Sequence, residues 1–198
     1  MQFNNRKTSG FLLFAGSVIC ILGIIIAEAL HPAYSTSENY ISDLGVGPAA
    51  AVFNFSVFLL GVLVALSSYF IQKTFGFSLF STLIVMAGIG AIGVGVFTED
   101  AGWIHVMFSS ITFLFGGLAV IVSSIFQRRP MSYLAIALGG LSLVALILFV
   151  SANYLGLGKG GMERLIAYPA LLWAVGFGGH LIDDSKDGAG KDDWCFDL

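Results

Sequence analysis

Six runs of about 20 mostly apolar residues alternate with short polar segments along the chain. A helix of about 20 residues is long enough to cross a hydrocarbon core about 30 Å thick. The runs cover residues 11–30, 51–72, 78–97, 105–126, 132–154 and 162–182. This pattern predicts an all-α, polytopic membrane bundle of six transmembrane helices in residues 1–182. Residues 183–198 form a separate polar tail.

Composition strengthens this prediction and excludes a soluble domain. Hydrophobic residues make up 57% of the 198 residues and charged residues 11%, against roughly 25% charged in a typical soluble protein. Six of the twelve carboxylates lie in the last sixteen residues, which predicts an acidic tail. No basic patch remains that would bind nucleic acid. The glycines at 88, 90, 93 and 95 predict close packing between helices.

The positive charges predict how the bundle is oriented. Seven of the nine cations fall on one side of the predicted helices: Arg6, Lys7, Lys73, Arg128, Arg129, Lys186 and Lys191. Only Lys159 and Arg164 fall on the other side. The positive-inside rule therefore places both termini in the cytosol of a multi-pass cell-membrane protein. Residues 31–50, 98–104 and 155–161 then lie outside.

Most of the remaining polar residues gather at this outer face, where we expect a functional site. The candidate catalytic residues are His31, Ser42, Asp43 and His105. The candidate ligand-binding residues are Glu28, Asn54, Glu99, Glu163 and Arg164. Two imidazoles and a carboxylate could bind Zn²⁺, or the same groups could act as acid and base on a lipid headgroup. No metal-binding motif decides between these, so metal and cofactor stay unknown.

Each candidate also has a structural interpretation. Glu28 and His31 are three residues apart on one helix and can form an interfacial pair that ends it. Ser42 and Asp43 can cap a turn or a short helix. Glu163 and Arg164 can pair with partners across the outer loops, or with each other. Arg164 can instead extend towards the lipid headgroups as an anchor.

Two groups of residues resemble known families. The stretch from Tyr40 to Gly45, with Pro48 and Phe53 after it, is similar to a loop of the damage-regulated autophagy modulator (DRAM-like) family, which includes a GPI-anchor lipid-remodelling factor. Glu99, His105 and the Gly161 to Arg164 stretch look more like a prokaryotic six-helix membrane protein family of unknown function. The resemblance covers most of residues 11–182. It implies a role in lipid handling without a specific reaction.

Three functions agree with these patterns. The first is a membrane protein that binds or modifies membrane lipid at its outer face, with Ser42 as a nucleophile or oxyanion donor in the enzymatic version. The second is a transporter for a lipid or small solute, although the sequence has no clear internal repeat. The third is a scaffold in which the polar loops form a lid over the bundle. The oligomeric state stays open.

Overall fold

The computed structural model describes residues 4–76 and 79–183, which are helical with no strand. Six of its helices are long and apolar enough to span a membrane, which confirms a multi-pass membrane protein. The α-helices are α1 (Asn5–Leu30), α2 (Ala50–Phe75), α3 (Leu79–Val96), α4 (Trp103–Val122), α5 (Met131–Val150) and α6 (Gly158–Asp183). Three short 3₁₀ helices cover Ser42–Gly45, Glu99–Ala101 and Ser123–Phe126.

Several helix ends differ from the predicted ones because polar residues extend or end the helices. The first helix begins six residues early, since the Asn4 side chain accepts hydrogen bonds from the backbone N–H groups of Arg6 and Lys7. The sixth begins at Gly158 rather than at 162, and the fifth ends at Val150 rather than at 154. Of the predicted acidic tail, residues 183–198, only Asp183 is among the described residues.

The six helices form a closed ring in which each packs against its neighbours in sequence and α6 packs against α1. Contact between α4 and α6 is sparse, and α5 contacts both of them. The ring closes where the antiparallel helices α1 and α6 contact each other towards both of their ends. A Cβ on Gly10 would lie 2.6 Å from the carbonyl oxygen of Gly178, and Arg164 pairs with Glu28 at the opposite end.

The two ends of the bundle differ in chemistry. The terminal end carries Asn4 and Asp183, the first and last described residues, together with the aromatic cluster of Phe80, Trp173 and Phe177. The other end, which we call the capped end, carries residues 31–49, 97–102 and 151–157. We call the 3₁₀ helix Ser42–Gly45 the cap turn. Leu44 of the cap turn is fully buried against the helices beneath it.

Glycines allow α2 and α3 to approach at backbone distance, as the sequence predicts for the α3 glycines. A Cβ on Gly61 would lie 2.7 Å from the carbonyl oxygen of Gly88. A Cβ on Gly88 would lie 2.7 Å from the backbone nitrogen of Ala65. Backbone atoms on the facing helix cannot move aside as a side chain can, so neither position accepts even a methyl group without separating the helices.

We therefore expect Gly88→Ala to lower the free energy of unfolding by about 1 to 3 kcal/mol, because the added methyl group overpacks the α2–α3 contact. Gly140→Ala is the matched control, since a Cβ at Gly140 meets nothing within 4 Å. Thermal unfolding of both variants in the same detergent measures the difference. Equal midpoints for the two variants would show that the close approach of α2 and α3 is not a stabilising contact.

Candidate functional site

An elongated apolar cavity of about 150 Å³ lies inside the ring of helices. Side chains from α1, α2, α3, α4 and α6 line it, whereas α5 contributes none. On α4 it extends from His105 to Val120, and on α6 from Glu163 to Ala174. At 1.5 Å per helical residue these spans give a length of about 16 to 22 Å. A cavity of this volume and length is narrow.

The polar residues of the cavity lie at its capped end, which we call the mouth. Ser42, His105, Ser109 and Glu163 line the mouth, and Ile41 lies beside them. Ser109 is one helical turn from His105, so both side chains lie on one face of α4. Below the mouth the lining is apolar except for Ser17, Thr112 and the amphipathic Trp173. Ser17 Oγ and Trp173 Nε1 are buried without a hydrogen-bond partner among the described residues. The cavity is therefore an apolar channel with hydrogen-bonding groups at one end.

His105 is buried, with 6% of its surface exposed, at the first turn of α4. Its Nδ1 lies 2.8 Å from the carbonyl oxygen of Phe97. A carbonyl oxygen can only accept a hydrogen bond, so Nδ1 carries a proton, and in the corresponding neutral tautomer Nε2 has a free lone pair. Within the described ranges, Nε2 has no hydrogen-bond partner. It can therefore accept a hydrogen bond, or a proton, from a group in the cavity.

Glu163 links the mouth to the cap segment. Its side chain is 6% exposed, and its Oε2 accepts a hydrogen bond from the backbone N–H of Ile41 at 2.5 Å. This bond fixes the residue immediately before the cap turn. The other carboxyl oxygen, Oε1, has no hydrogen-bond partner in residues 4–76 and 79–183. Oε1 is thus a second polar atom without a partner at the mouth, in addition to Nε2 of His105.

Arg164 joins α1, α6 and the segment between α1 and the cap turn. Its guanidinium donates hydrogen bonds to Glu28 Oε1 at 2.5 Å, to the Tyr34 hydroxyl at 2.8 Å and to the Thr36 carbonyl oxygen at 2.9 Å. The prediction of a partner across the outer loops is therefore confirmed for Arg164. The predicted pair of Glu163 with Arg164 does not form, because consecutive helical residues point about 100° apart and Arg164 pairs with Glu28 instead. The position of Arg164 at the lipid headgroups stays a prediction. Glu28 likewise pairs with Arg164 rather than with His31.

A carboxyl pair connects the cap turn to the α3–α4 connection. Asp43 accepts hydrogen bonds from Asn39 Nδ2 at 3.1 Å and from the Tyr40 backbone N–H at 2.9 Å. Its carboxyl group also interacts electrostatically with that of Glu99, which lies near the Ser42 hydroxyl as well. Burial and the Asp43 carboxylate raise the pKa of Glu99 to about 7. Burial alone would raise the pKa of Asp43, but its hydrogen bonds outweigh burial and lower it. The pair therefore shares one proton.

The two candidate histidines lie in different places. His31 lines a shallow pocket on the capped surface with Asp43, Glu99 and Asp100, whereas His105 lines the mouth of the inner cavity. The cap turn separates the two, with Asp43 lining the pocket and Ser42 lining the cavity. Across residues 4–76 and 79–183, no three His, Cys, Asp or Glu side chains could hold a metal ion together. The proposed zinc site of two imidazoles and a carboxylate is therefore wrong.

Asn54 supports the cap turn from beneath. Its Nδ2 donates a hydrogen bond to the carbonyl oxygen of Gly45 at 2.9 Å, which satisfies a backbone group at the end of the cap turn. Asn54 is not among the residues that line the cavity. In this structure its contacts are those of a positioning residue.

Sequence reasoning missed two aromatic residues of the capped end. The Tyr34 hydroxyl accepts from Arg164 and donates to the Tyr40 carbonyl oxygen at 2.8 Å. Burial raises the pKa of Tyr34 to about 12, so the hydroxyl keeps its proton. Lys159 lies 4.1 Å above the centre of the Tyr40 ring, a cation–π contact. Both tyrosines lie in the polar segment after α1. A tyrosine combines an apolar ring with a polar hydroxyl group, and its presence in such a segment is the signal that could have predicted these contacts.

A comparison with protein families matches the model described as "Protein of unknown function (DUF998)" over residues 14–180, which is well over half of the chain. The chain belongs to the DUF998 family. This confirms the predicted resemblance to a membrane protein family of unknown function. No curated protein and no solved structure matches the chain. The similarity to the DRAM-like family stays a prediction.

For this DUF998 protein we expect Glu28 and Arg164 to stabilise the bundle as a coupled pair. The two side chains are 22% and 12% exposed, so removal of one leaves the other charge poorly hydrated. Glu28→Gln, Arg164→Gln and the double variant form a double-mutant cycle measured by chemical unfolding in detergent. We expect a coupling free energy of about 1 to 3 kcal/mol. Additive single effects would contradict the pairing.

The shared proton of Asp43 and Glu99 predicts a pH dependence of stability. In the unfolded chain Glu99 loses its proton near its usual 4.5, whereas in the folded protein it keeps the proton to about 7. The folded state therefore binds more protons between these values, and stability falls as pH rises through this range. Thermal midpoints of wild type and Glu99→Gln between pH 4.5 and 8 measure this dependence. The variant should show a flatter profile.

The control for this pH dependence is Asp100→Asn, because Asp100 lines the same surface pocket outside the shared-proton pair. We expect it to keep the wild-type profile. If Glu99→Gln and Asp100→Asn give the same pH profile as wild type, the Asp43–Glu99 pair does not hold a shared proton.

Proposed function

We propose that this protein binds one membrane lipid, with an apolar chain in the inner cavity and the polar end of the lipid at the mouth. The observation that carries the proposal is the cavity itself, which is apolar along its length and polar at one end. At about 1.25 Å per carbon, from C–C bonds of about 1.5 Å, its length matches that of an extended chain of roughly 12 to 16 carbons. A cavity of about 150 Å³ holds a molecule the size of benzene, so the bound chain must widen it, and the sparse contact between α4 and α6 is where the helices can separate. The narrowness of the cavity favours one unbranched chain over a fused ring system.

The charge distribution supports an orientation in which the capped end is extracytoplasmic. Five cations of the described residues lie at the terminal end, whereas Lys159 and Arg164 lie at the capped end. The five are Arg6, Lys7, Lys73, Arg128 and Arg129. Under the positive-inside rule both termini are then cytosolic. In this orientation the mouth lies at the outer leaflet of the cell membrane, within reach of lipid headgroups.

Chemical modification of the bound lipid is a second candidate, favoured by the state of His105. Its Nε2 can take a proton from a hydroxyl at the mouth while Nδ1 stays bonded to the Phe97 carbonyl oxygen. The Ser42 hydroxyl lines the same mouth and lies near the Glu99 carboxyl group. Binding is the simpler function, because it needs only the cavity and the free acceptors.

Gly116 provides a direct test, because it lines the cavity and a Cβ there meets nothing within 4 Å. Gly116→Leu should fill much of the cavity without a backbone clash, and leucine has a higher helix propensity than glycine. We therefore expect the variant to lose most of its co-purified lipid while its thermal midpoint stays the same or rises. Native mass spectrometry and lipid extraction of gently solubilised protein measure both quantities.

The matched control is Gly140→Leu. This position also has open space around its Cβ, but it lies on α5, outside the cavity lining. It should keep the wild-type amount of bound lipid. Equal lipid content in wild type, Gly116→Leu and Gly140→Leu would contradict the proposal and favour a scaffold with an empty core.

A further inference from the structure

We infer that the polar end of the ligand is a hydroxyl group, so that the protein selects a lipid alcohol over a lipid phosphate or carboxylate. This inference rests on the proposed function and specifies the chemical class of its ligand. It follows from three features: the hydrogen-bonding groups of the mouth, the positions of the cations, and the fact that the hydrocarbon chain of the lipid is already in apolar surroundings in the bilayer.

The mouth has acceptors where a ligand would end. Nε2 of His105 and Oε1 of Glu163 have no hydrogen-bond partner in the described parts of the chain, and both residues are 6% exposed. Both residues line the cavity, so a ligand there can reach these atoms, and one net hydrogen bond from it contributes about 0.5 to 1.5 kcal/mol. A hydroxyl donates one hydrogen bond and can accept another from Ser109.

The mouth has no cation to neutralise an anionic headgroup. No Lys or Arg lines the described cavity. The Arg164 guanidinium already donates to Glu28, Tyr34 and two carbonyl oxygens, and Lys159 lies over the Tyr40 ring. A phosphate or carboxylate at the mouth would instead meet the Glu163 carboxyl group, with Asp43 and Glu99 just above it. Burial of an unpaired anion in such surroundings is strongly unfavourable.

The chain of the lipid cannot provide this selectivity. A hydrocarbon chain that leaves a bilayer for the cavity moves between two apolar environments, so it gains little from the hydrophobic effect. Discrimination between lipids of equal chain length must therefore come from the mouth. One net hydrogen bond contributes about 0.5 to 1.5 kcal/mol, which corresponds to as much as a tenfold difference in affinity.

The test compares four ligands that share a fourteen-carbon chain: tetradecan-1-ol, its methyl ether, tetradecanoate and tetradecyl phosphate. Each is added at equal concentration to delipidated full-length protein, and bound fractions are read by native mass spectrometry. We expect the alcohol to bind about two- to tenfold more tightly than the ether, which lacks the donor, and more tightly than both anions. Equal or tighter binding of the ether, or tighter binding of either anion, would overturn the inference.

Two variants separate this inference from the proposed function. His105→Phe keeps an aromatic ring but removes the acceptor, so it should lose the preference for alcohol over ether. His31→Phe, outside the cavity, should keep it. If all four ligands bind equally and Gly116→Leu abolishes their binding, the lipid site stands and the hydroxyl preference fails. If none binds to wild type, the proposed function fails as well.

Discussion

The ion pair between Arg164 and Glu28 closes the ring of helices at the capped end, and the other features of that end depend on it. Arg164 also holds Tyr34 and the Thr36 carbonyl oxygen, so the pair positions the segment that leads to the cap turn. That segment delivers the Ile41 N–H to Glu163 and sets Ser42 over the cavity. At the edge of a hydrocarbon core each of these polar groups needs a partner, since water is scarce there.

The cavity results from uneven packing around the ring. Small residues bring α2 within backbone distance of α3 and bring α1 within backbone distance of α6. No comparable contact draws α4 onto α6, and α5 packs against both without entering the lining. Helix packing in a membrane depends on close van der Waals contact rather than on the hydrophobic effect. A lipid chain can fill an apolar cavity between the helices and restore the van der Waals contacts that the cavity lacks. The cavity therefore destabilises the folded protein less than an empty cavity would destabilise a protein in water.

The sequence predicted the parts of the structure that depend on local properties of the chain. The lengths of the apolar runs predicted the six helices, and the density of polar residues predicted the end of the bundle where the candidate site lies. The sequence did not predict that His31 and His105 lie apart. His31 follows α1 and His105 lies in the first turn of α4, both at the capped end, and only the position of the cap turn separates them. The partner of Arg164 was equally hidden, since Glu28 and Glu163 are both carboxylates near that level.

The closed ring has a topological consequence. Gly10 lies against Gly178, so the two ends of the described chain are about one helix diameter apart, roughly 10 Å. Each helix contacts the helix before it and the helix after it, and α6 contacts α1, as in a cyclic chain. The pattern of helix contacts therefore does not depend on which helix comes first in the sequence. A short covalent link between the ends would let the chain be opened at another connection on the terminal side, such as the turn between α4 and α5. The mouth and the cap turn would keep all their contacts in such a circular permutant.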